Sequence, residues 1–548
     1  MNSNIKAVEL AKKQREISVA EFFEKNRHLL GFDNPRKALL TTIKEAVDNA
    51  LDACDEAEIL PEIEVQIIHM GSNIYRVIVS DNGPGIVKKQ IPPIFGKLLY
   101  GSKFHVLKQQ RGQQGIGISA AALYGQLTTG RGIKIISRIH ETEPAHYYVI
   151  KIDTRKNKPE IVEEGIVEWD KPHGTVLELD IEADYKKGDI SVDEYLRQTA
   201  IVNPHATIIY TNPELKQEIF VRASEEIPKQ PQGIKPHPYG VELGRLMNML
   251  KWTTYKRMVP FLMNEFSRVG ATTAKRILEN AAILPTAKPK SLTREQAMAL
   301  IEAIRKTPII SPPTDCISPI GEELILKGLK KEVNADFFTA VTRPPAVYRG
   351  NPFVIEVGLA YGGELEADSP VKIMRFANRV PLLYQKGACA ITEAVTTTNW
   401  KAYHLKQPKG SRPYGPLLIL VHMASVWVPF TSEAKEAIAH YPEIIKEIKL
   451  GLQECGRKLG AYLSRRAKAA KEIKRFEYLR KYVPHVAEAL KELNELSDYE
   501  AERVQKLLLE VLEDDRRYTK NNGALQGSLQ GYLAKEEASD EHTDPLTE

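Results

Sequence analysis

Between positions 39 and 54, Leu39, Leu40, Ile43, Ala46, Val47, Ala50, Leu51 and Cys54 recur at helical spacing, which gives one helix the broad apolar face that a domain core takes. Glu45, Asn49 and Asp52 form a polar line on the other side. Glu45 and Asn49 are one turn apart, so their heads converge. Two β-rich runs follow in EIEVQIIHMGSNIYRVIVSDNG, joined at Gly71-Ser72-Asn73, and read as a hairpin. KIISRI and YYVIKID add two strands and GTVLELDIEAD another, so residues 1–225 imply mixed α/β structure on an antiparallel-leaning sheet.

At 548 residues the chain exceeds one ordinary core, and length suggests roughly three or four domains. A Pro- and Gly-rich stretch over 224–240 reads as a linker and precedes a helical block over 241–306. A second linker carries Pro308, Pro312, Pro313 and Pro319, after which residues 320–430 return to strands. A long helix is expected from about Glu433, with Ile445, Ile448, Leu452, Leu459 and Tyr462 as a seam broken by Cys455. The acidic end, KEEASDEHTDPLTE, has the composition of a disordered tail. No run approaches a membrane span and no signal peptide is recognisable, so a cytoplasmic protein is expected. Cys54, Cys316, Cys389 and Cys455 form no CxxC pair, which argues against a zinc ribbon or a disulfide scaffold. The net charge of +5, from 76 basic and 71 acidic residues, says little about nucleic acid.

The chemistry-bearing residues come in a fixed order. The second hairpin strand ends in DNGPGI, where Asp81 is a fixed acceptor suited to an exocyclic amine such as that of adenine, and Gly83 and Gly85 let the backbone approach a flat ligand. RGQQGIGISAAALYG follows: Arg111, Gly112, Gln113, Gln114, Gly115, Ile116, Gly117 and Ile118 form a loop that opens a helix at about Ile118, so its N–H groups can cradle phosphate. Ser102 and Lys103, in GSKFH, form a further basic loop near it. HGT places Thr175 where a small side chain closes over a base. Taken singly, each of these has an ordinary reading: a solvated helix face, an Asx turn, a glycine loop.

Their order, Glu-x-x-x-Asn, Asp-x-Gly-x-Gly, Gly-x-x-Gly-x-Gly, then Gly-Thr, resembles the GHKL ATPase superfamily of gyrase, MutL, the ninety-kilodalton heat-shock chaperone and histidine kinases. By that resemblance Asn49 offers its amide oxygen to Mg²⁺ and Glu45 polarises the water that attacks ATP. Magnesium takes hard oxygen ligands and keeps phosphate oxygens and waters, so one neutral protein oxygen suffices. Phosphoryl transfer also needs a cation at the γ-phosphate. WVPFTSEAKEAIAH supplies a candidate: Thr431 or Ser432 is expected to cap a helix whose first turn holds Glu433, Lys435 and Glu436. A lysine there works against the helix dipole by roughly 0.3–1 kcal/mol, so Lys435 either pairs with its neighbours or reaches an anion. The superfamily's switch lysine, which comes from a second domain, favours the anion.

KALLTTIKEAVDNALDACDEA, LLYGSKFH, RGQQGIGISAAALYGQ, RQTAIVNPHATI and VPFTSEAKEAIA resemble the B subunits of archaeal DNA topoisomerase VI, the type IIB enzymes, and the likeness extends to about residue 480. The resemblance implies an α+β multidomain chain: an N-terminal arm making dimer contacts (1–30), a GHKL ATPase α/β sandwich (31–228), a helical helix-two-turns-helix module (229–312), an α/β transducer with a long C-terminal stalk helix (313–480), and a helical extension with the acidic tail (481–548). It also implies ATP and Mg²⁺ as cofactors, self-dimerisation on ATP binding through exposed apolar groups of AEFFEKNRHLLGF, double-stranded DNA, and an A subunit that cuts DNA within an A2B2 heterotetramer. No immunoglobulin-like C-terminal domain is expected. The loop with Trp400, Lys401, Tyr403, Lys406, Lys409 and Arg412 is equally a phosphate-contacting surface or a solvated one. YKKGDI keeps Lys186 and Lys187 but places Asp189 where more positive charge is expected. The rival reading, a MutL-like mismatch-repair ATPase, predicts no helical module after the ATPase motifs. A histidine kinase needs a phosphoacceptor helix before Glu45, and a non-hydrolysing DNA-binding scaffold needs ATPase activity to be absent.

Overall fold

The computed structural model describes Lys6, residues 10–103, 106–112, 115–432 and 434–522, with side chains to 513. Two compact units result, one of residues 1–399 and 406–455, the other of residues 400–405 and 456 onward.

The first unit begins with α1 (Val19–Lys25), capped by the Ser18 side chain. Helix α2 (Pro35–Glu56) starts where the Asn34 side chain accepts from the Lys37 N–H and Pro35 sets the first turn. Its apolar face, from Leu39 to Cys54, is buried as expected. That face lies in the core formed with an eight-stranded sheet, built from β1 (Glu62–Gly71), β2 (Ile74–Asp81), β3 (Ile133–Arg138), β4 (Ala145–Asp153), β5 (Lys158–Val167), β6 (Gly174–Glu182), β7 (Thr207–Thr211) and β8 (Gln217–Phe220) in the order β5-β4-β3-β6-β2-β1-β7-β8. Every pairing is antiparallel except β1 with β7. The β1–β2 hairpin turns where the sequence places it, with Gly71 at φ 102° and Ser72 at φ 49°. Alternate residues such as Ile63, Val65 and Ile67 face a layer made of α2, α3 (Ile91–Gly96), α4 (Gly117–Thr129) and α5 (Val192–Val202).

The N-terminal apolar groups are only partly exposed. Val19, Phe23 and Leu30 pack on this core and Phe32 is buried, which leaves Phe22 and Leu29 facing solvent.

Residues 243–306 hold α6 (Leu243–Trp252), α7 (Met258–Glu265), α8 (Ala271–Asn280), begun at Gly270, and α9 (Arg294–Lys306). They share a separate apolar core around Leu246, Phe261, Ile277 and Leu300. A second sheet follows α10 (Glu322–Glu332): β9 (Phe337–Thr342), β10 (Ala346–Tyr348), β11 (Asn351–Tyr361), β12 (Lys372–Ala377), β13 (Val380–Pro381) and, after α11 (Ala390–Thr397), β14 (Leu417–Ser425). Strand β14 is buried throughout and β11 nearly so because both faces are covered. A Cβ on Gly358 would lie 2.9 Å from Ile325 and Leu329 of α10, whereas Val357, on the opposite face, meets Gly451 of the next helix.

That helix, α12 (Pro442–Leu493), corrects two expectations. It starts at Pro442 and not near Glu433, because the chain before it is held in a turn: Phe430 and Ile438 are bridged, the Thr431 N–H donates to the Ala437 carbonyl and the Ala439 N–H to the Pro429 carbonyl. Its buried line is Ile444, Ile448, Leu452, Cys455 and Leu459, so Cys455 continues the seam as a small apolar residue and Ile445 is displaced from it.

In the second unit, Tyr403 packs against the backbone at Gly456, where a Cβ would approach its ring to 2.5 Å, and His404 bonds Ser464 at 2.9 Å. Helix α12 passes through Pro484, and α13 (Asp498–Asn522) follows.

Candidate functional site

A cleft of about 300 Å³ in the first unit is floored by α2 and walled by the segments that the sequence singles out. Glu45, Asn49, Asp81, Gly85, Ser102, Lys103, Gly112, Gly115, Ile116, Gly117, Ile118, Thr175 and Lys435 all line it.

The floor is set by α2. Asn49 is the one exposed residue between Ala38 and Asp55 of a mostly buried helix, because its side chain opens into the cleft. Among the described residues neither Glu45 nor Asn49 spends its side chain on a protein hydrogen bond or ion pair, so a carboxylate and an amide are both available to a ligand. Across from them the N-terminus of α4 has no side-chain cap, leaving N–H groups for an anion. Gly117 packs so closely that a Cβ there would fall 1.7 Å from Glu45 Oε2. The absent side chain makes room for the carboxylate. Gly115 takes φ 57°, a conformation glycine adopts without strain.

The apolar end is organised by β2. Asp81 Oδ1 accepts from the Gly83 N–H at 2.8 Å, and burial pushes its carboxyl up to about 6 despite the Gly83 and Thr175 N–H groups that favour its charged form. Thr175 is fixed by Ser137, with the hydroxyls 3.0 Å apart, and Ser137 also accepts from the Ile86 N–H. Gly85, at φ 71°, lies against the Arg138 carbonyl, where a Cβ would approach to 2.0 Å. Gly83 is one layer back and does not line the cleft; its contribution is the N–H that holds Asp81.

The other wall is supplied by the loop before α12. Lys435 enters with its Nζ 3.3 Å from the Arg111 carbonyl, at the base of the glycine loop. It has φ 53° in a turn closed by its own N–H on the Ser432 carbonyl. The expected helix cap at Thr431 or Ser432 is therefore absent, and Lys435 meets no opposing helix dipole.

Arg111 departs from expectation. Its guanidinium turns away from the cleft into a buried cluster, bonding Asp52 Oδ1 at 2.8 Å, Asp55 Oδ2 at 2.7 Å and Asn203 Oδ1 at 2.6 Å. Burial alone would raise both aspartates; Arg111, with Lys103 at Asp52 and His205 at Asp55, holds each below the usual carboxylate range. The guanidinium's fixed fork of donors suits carboxylates, and Asp52 and Asp55, one turn apart on α2, present two of them to it. Asp52, third in the polar line, thus anchors the loop and leaves ligand contact to Glu45 and Asn49. Lys103 also lines the cleft, its ammonium 2.6 Å from Asp52 Oδ2. Gln113, Gln114, Phe104, His105 and Glu433 lie outside the described residues.

The residues fit a magnesium nucleotide: an apolar slot ending in a carboxylate, a neutral amide oxygen, an uncapped helix start and a lysine. Residues 34–154 match the family described as histidine kinase-, DNA gyrase B- and HSP90-like ATPases, and residues 312–475 match the topoisomerase VI B subunit transducer. The chain is similar to the B subunit of type 2 DNA topoisomerase 6 from Methanococcoides burtonii, 54% identical over 88% of this chain and 78% of that one. The Methanosarcina acetivorans protein of the same name is 54% identical over the same shares, and that of Archaeoglobus fulgidus is 48% identical over 93% and 85%. The chain belongs to the family of type 2 DNA topoisomerase 6 B subunits. As a family member it is an ATP-driven subunit of a type IIB topoisomerase, with the α+β ATPase and transducer folds expected of it.

Several residues of this topoisomerase site escape a sequence reading. Lys44 lines the cleft beside Glu45, and burial lowers its ammonium against the pull of Glu45 and Asp48. Asp48 is buried, accepts from Tyr195 Oη at 2.9 Å and is pushed up to about 6, mainly by burial. Lys37, Tyr384 and Glu436 also line the cleft. Only Asp48 carried a sequence signal, as an acid one turn from Lys44 and next to the apolar Val47. Elsewhere Trp400 is buried, so it drops out of the candidate DNA surface, whereas Lys401, Lys406, Lys409 and Arg412 are exposed. Lys186, Lys187 and Asp189 are engaged in ion pairs with Asp184, Glu214 and Lys386.

Proposed function

We propose that this chain is an ATP-operated clamp that gates the passage of one DNA duplex through another, with an A subunit making the break. The observation that carries the reading is the convergence on one cleft of Glu45, Asn49, the α4 N-terminus and Lys435, with Glu45 and Asn49 making no side-chain hydrogen bond or ion pair among the described residues. In this reading Asp81 and Thr175 hold the adenine and the N–H groups from Gly112 to Gly117 hold the phosphates. Asn49 would hold Mg²⁺, which supplies charge neutralisation on the phosphate oxygens when bound. Glu45 takes the proton of the attacking water as its oxygen bonds to the γ-phosphorus and the bond to the ADP oxygen breaks. Lys435 neutralises the γ-phosphate and releases when phosphate leaves, so the nucleotide state changes how the second sheet is held against the first.

The remaining assignments belong to the same proposal. Residues 1–30 form a dimer arm, 31–228 the ATPase domain, 229–312 the helix-two-turns-helix domain, 313–480 the transducer with its stalk and 481–548 an extension. Two copies of this chain pair on ATP binding and join two copies of the A subunit as a heterotetramer in the cytoplasm. Duplex passage relaxes supercoils of both signs and decatenates. No helix among the described residues is long and apolar enough to cross a membrane. The MutL-like alternative loses support, since the helical core of residues 243–306 sits between the two sheets in sequence.

Glu45→Ala is expected to bind nucleotide with little change while turnover falls by at least about 100-fold, the range of general-base catalysis. Unchanged turnover overturns the assignment. Supercoil relaxation is expected only when the A subunit, this chain and ATP are combined; relaxation by this chain alone contradicts the division of labour.

A further inference from the structure

Lys435 is delivered to the cleft by a loop, and loops are poor at holding a long side chain still. The residue after it solves part of that problem. Glu436 is only 6% exposed, and its carboxylate meets the Lys37 ammonium at 2.6 Å and accepts from the Gln385 amide. Lys37 lies in the first turn of α2, two turns upstream of Glu45, and lines the same cleft. It also pairs with Asp33 at 3.0 Å, and its ammonium sits 5.3 Å from the centre of the Tyr384 ring. Burial opposes its charge, but the Glu436 and Asp33 carboxylates hold it above the ordinary lysine range. The ion pair therefore ties the helix carrying Glu45 and Asn49 to the loop carrying Lys435, at the neighbouring residue. Its placement also explains how Lys435 keeps φ 53°, a left-handed conformation that persists in a non-glycine residue when its surroundings over-determine it.

Resting on the assignment of Lys435 to the γ-phosphate, we propose that Lys37 and Glu436 are positioning residues: their buried ion pair sets where Lys435 stands relative to Glu45. They touch no reacting atom and act through Lys435. Removing the pair leaves the nucleotide's base and phosphate contacts in place and blurs the position of the ammonium, so the loss falls on kcat and KM stays within about twofold.

The test is a set of variants of the full chain assayed for ATP turnover, with thermal midpoints alongside. Glu436→Gln is expected to lower kcat about tenfold with KM little changed. Lys37→Met strands a buried carboxylate and lowers the midpoint as well, whereas Lys37→Met/Glu436→Gln removes both charges and recovers the midpoint. The double variant is expected to keep the kcat defect; if kcat recovers together with stability, the pair is merely structural and the inference is overturned. In a Lys435→Ala background Glu436→Gln is expected to cause no further loss, and a multiplied defect also overturns it. The two readings fail separately. Wild-type turnover in Lys435→Ala sinks the γ-phosphate assignment, whereas a slow Lys435→Ala beside a fully active Glu436→Gln sinks only the positioning role.

Discussion

Asp81 shows how far one side chain's environment sets the behaviour of a site. Its carboxyl titrates near 6 because it is buried at the end of β2 with two N–H groups as its main compensation. The folded value lies above the ordinary 3.8, so the neutral form is favoured in the folded chain. The stability this contributes is present below about pH 4 and is lost as pH rises through 6. The adenine contact proposed for Asp81 needs the opposite form. Nucleotide affinity, measured by calorimetry between about pH 5 and 8, is therefore expected to fall by up to about tenfold per unit below pH 6. Asp81→Asn is expected to weaken binding at neutral pH and to flatten that profile. Gly117 makes a second residue-scale case. Alanine ordinarily favours a helix over glycine by about 0.5–1 kcal/mol, yet here its Cβ would occupy the space of Glu45 Oε2. Gly117→Ala is expected to leave the thermal midpoint within a few degrees while turnover collapses, because Glu45 must swing aside. Equal losses of both would point to a packing role alone.

At the scale of elements, the segment between Lys103 and α4 is held by charge at its root. Arg111 sits against Asp52 and Asp55 of α2, which are both kept below the usual carboxylate range. Arg111→Leu removes the cation that the two buried carboxylates share, leaving Lys103 at Asp52 and His205 at Asp55, and is expected to cost about 3–5 kcal/mol in urea unfolding. The sign of its pH dependence follows. In the wild type the depressed folded values contribute stability above about pH 4, lost as pH falls further, and that acid-side loss is expected to shrink or reverse in the variant. The α12 seam makes a simpler case: Leu452 is fully buried, and Leu452→Ala is expected to cost about 2–5 kcal/mol.

On the scale of the whole molecule, the two sheets of the first unit are joined by polar groups as well as by Lys435. Asn378, in the turn between β12 and β13, donates to the carbonyls of Gln110 and Ser425 at 3.0 and 2.9 Å. Its neighbour Arg379 receives the Asn203 amide at its carbonyl and donates its own N–H to His422, which bonds the fully buried Glu356. A buried polar chain of this kind has few equivalent arrangements, and it bonds the root of the glycine loop to the second sheet. Asn378→Ala is expected to destabilise the chain by about 1–3 kcal/mol, since a carbonyl from each side loses its donor. In the assembled enzyme it is expected to lower relaxation per ATP hydrolysed. An unchanged coupling ratio would place the transmission elsewhere.

Period and punctuation made much of this protein legible from its residues alone. The α2 face, the β1–β2 hairpin, the strand that ends in Asp81 and the glycine-led start of α4 follow from local spacing, because helix and strand periodicities are properties of neighbouring residues. The motif order singled out Glu45, Asn49, Asp81 and Thr175, and the superfamily resemblance added Lys435; all five line one cleft. Local rules failed where a distant segment outweighed them. Residues 431–436 carry caps and acids suited to a helix start, yet long-range bonds from this loop to Gln385, Cys389 and Lys37 hold it out of a helix. Arg111 looks like a phosphate ligand until Asp52, Asp55 and Asn203 converge on it from other turns of the chain. Which charges face a ligand and which neutralise one another depends on distances across the fold, and a linear sequence fixes those only once its layers have packed.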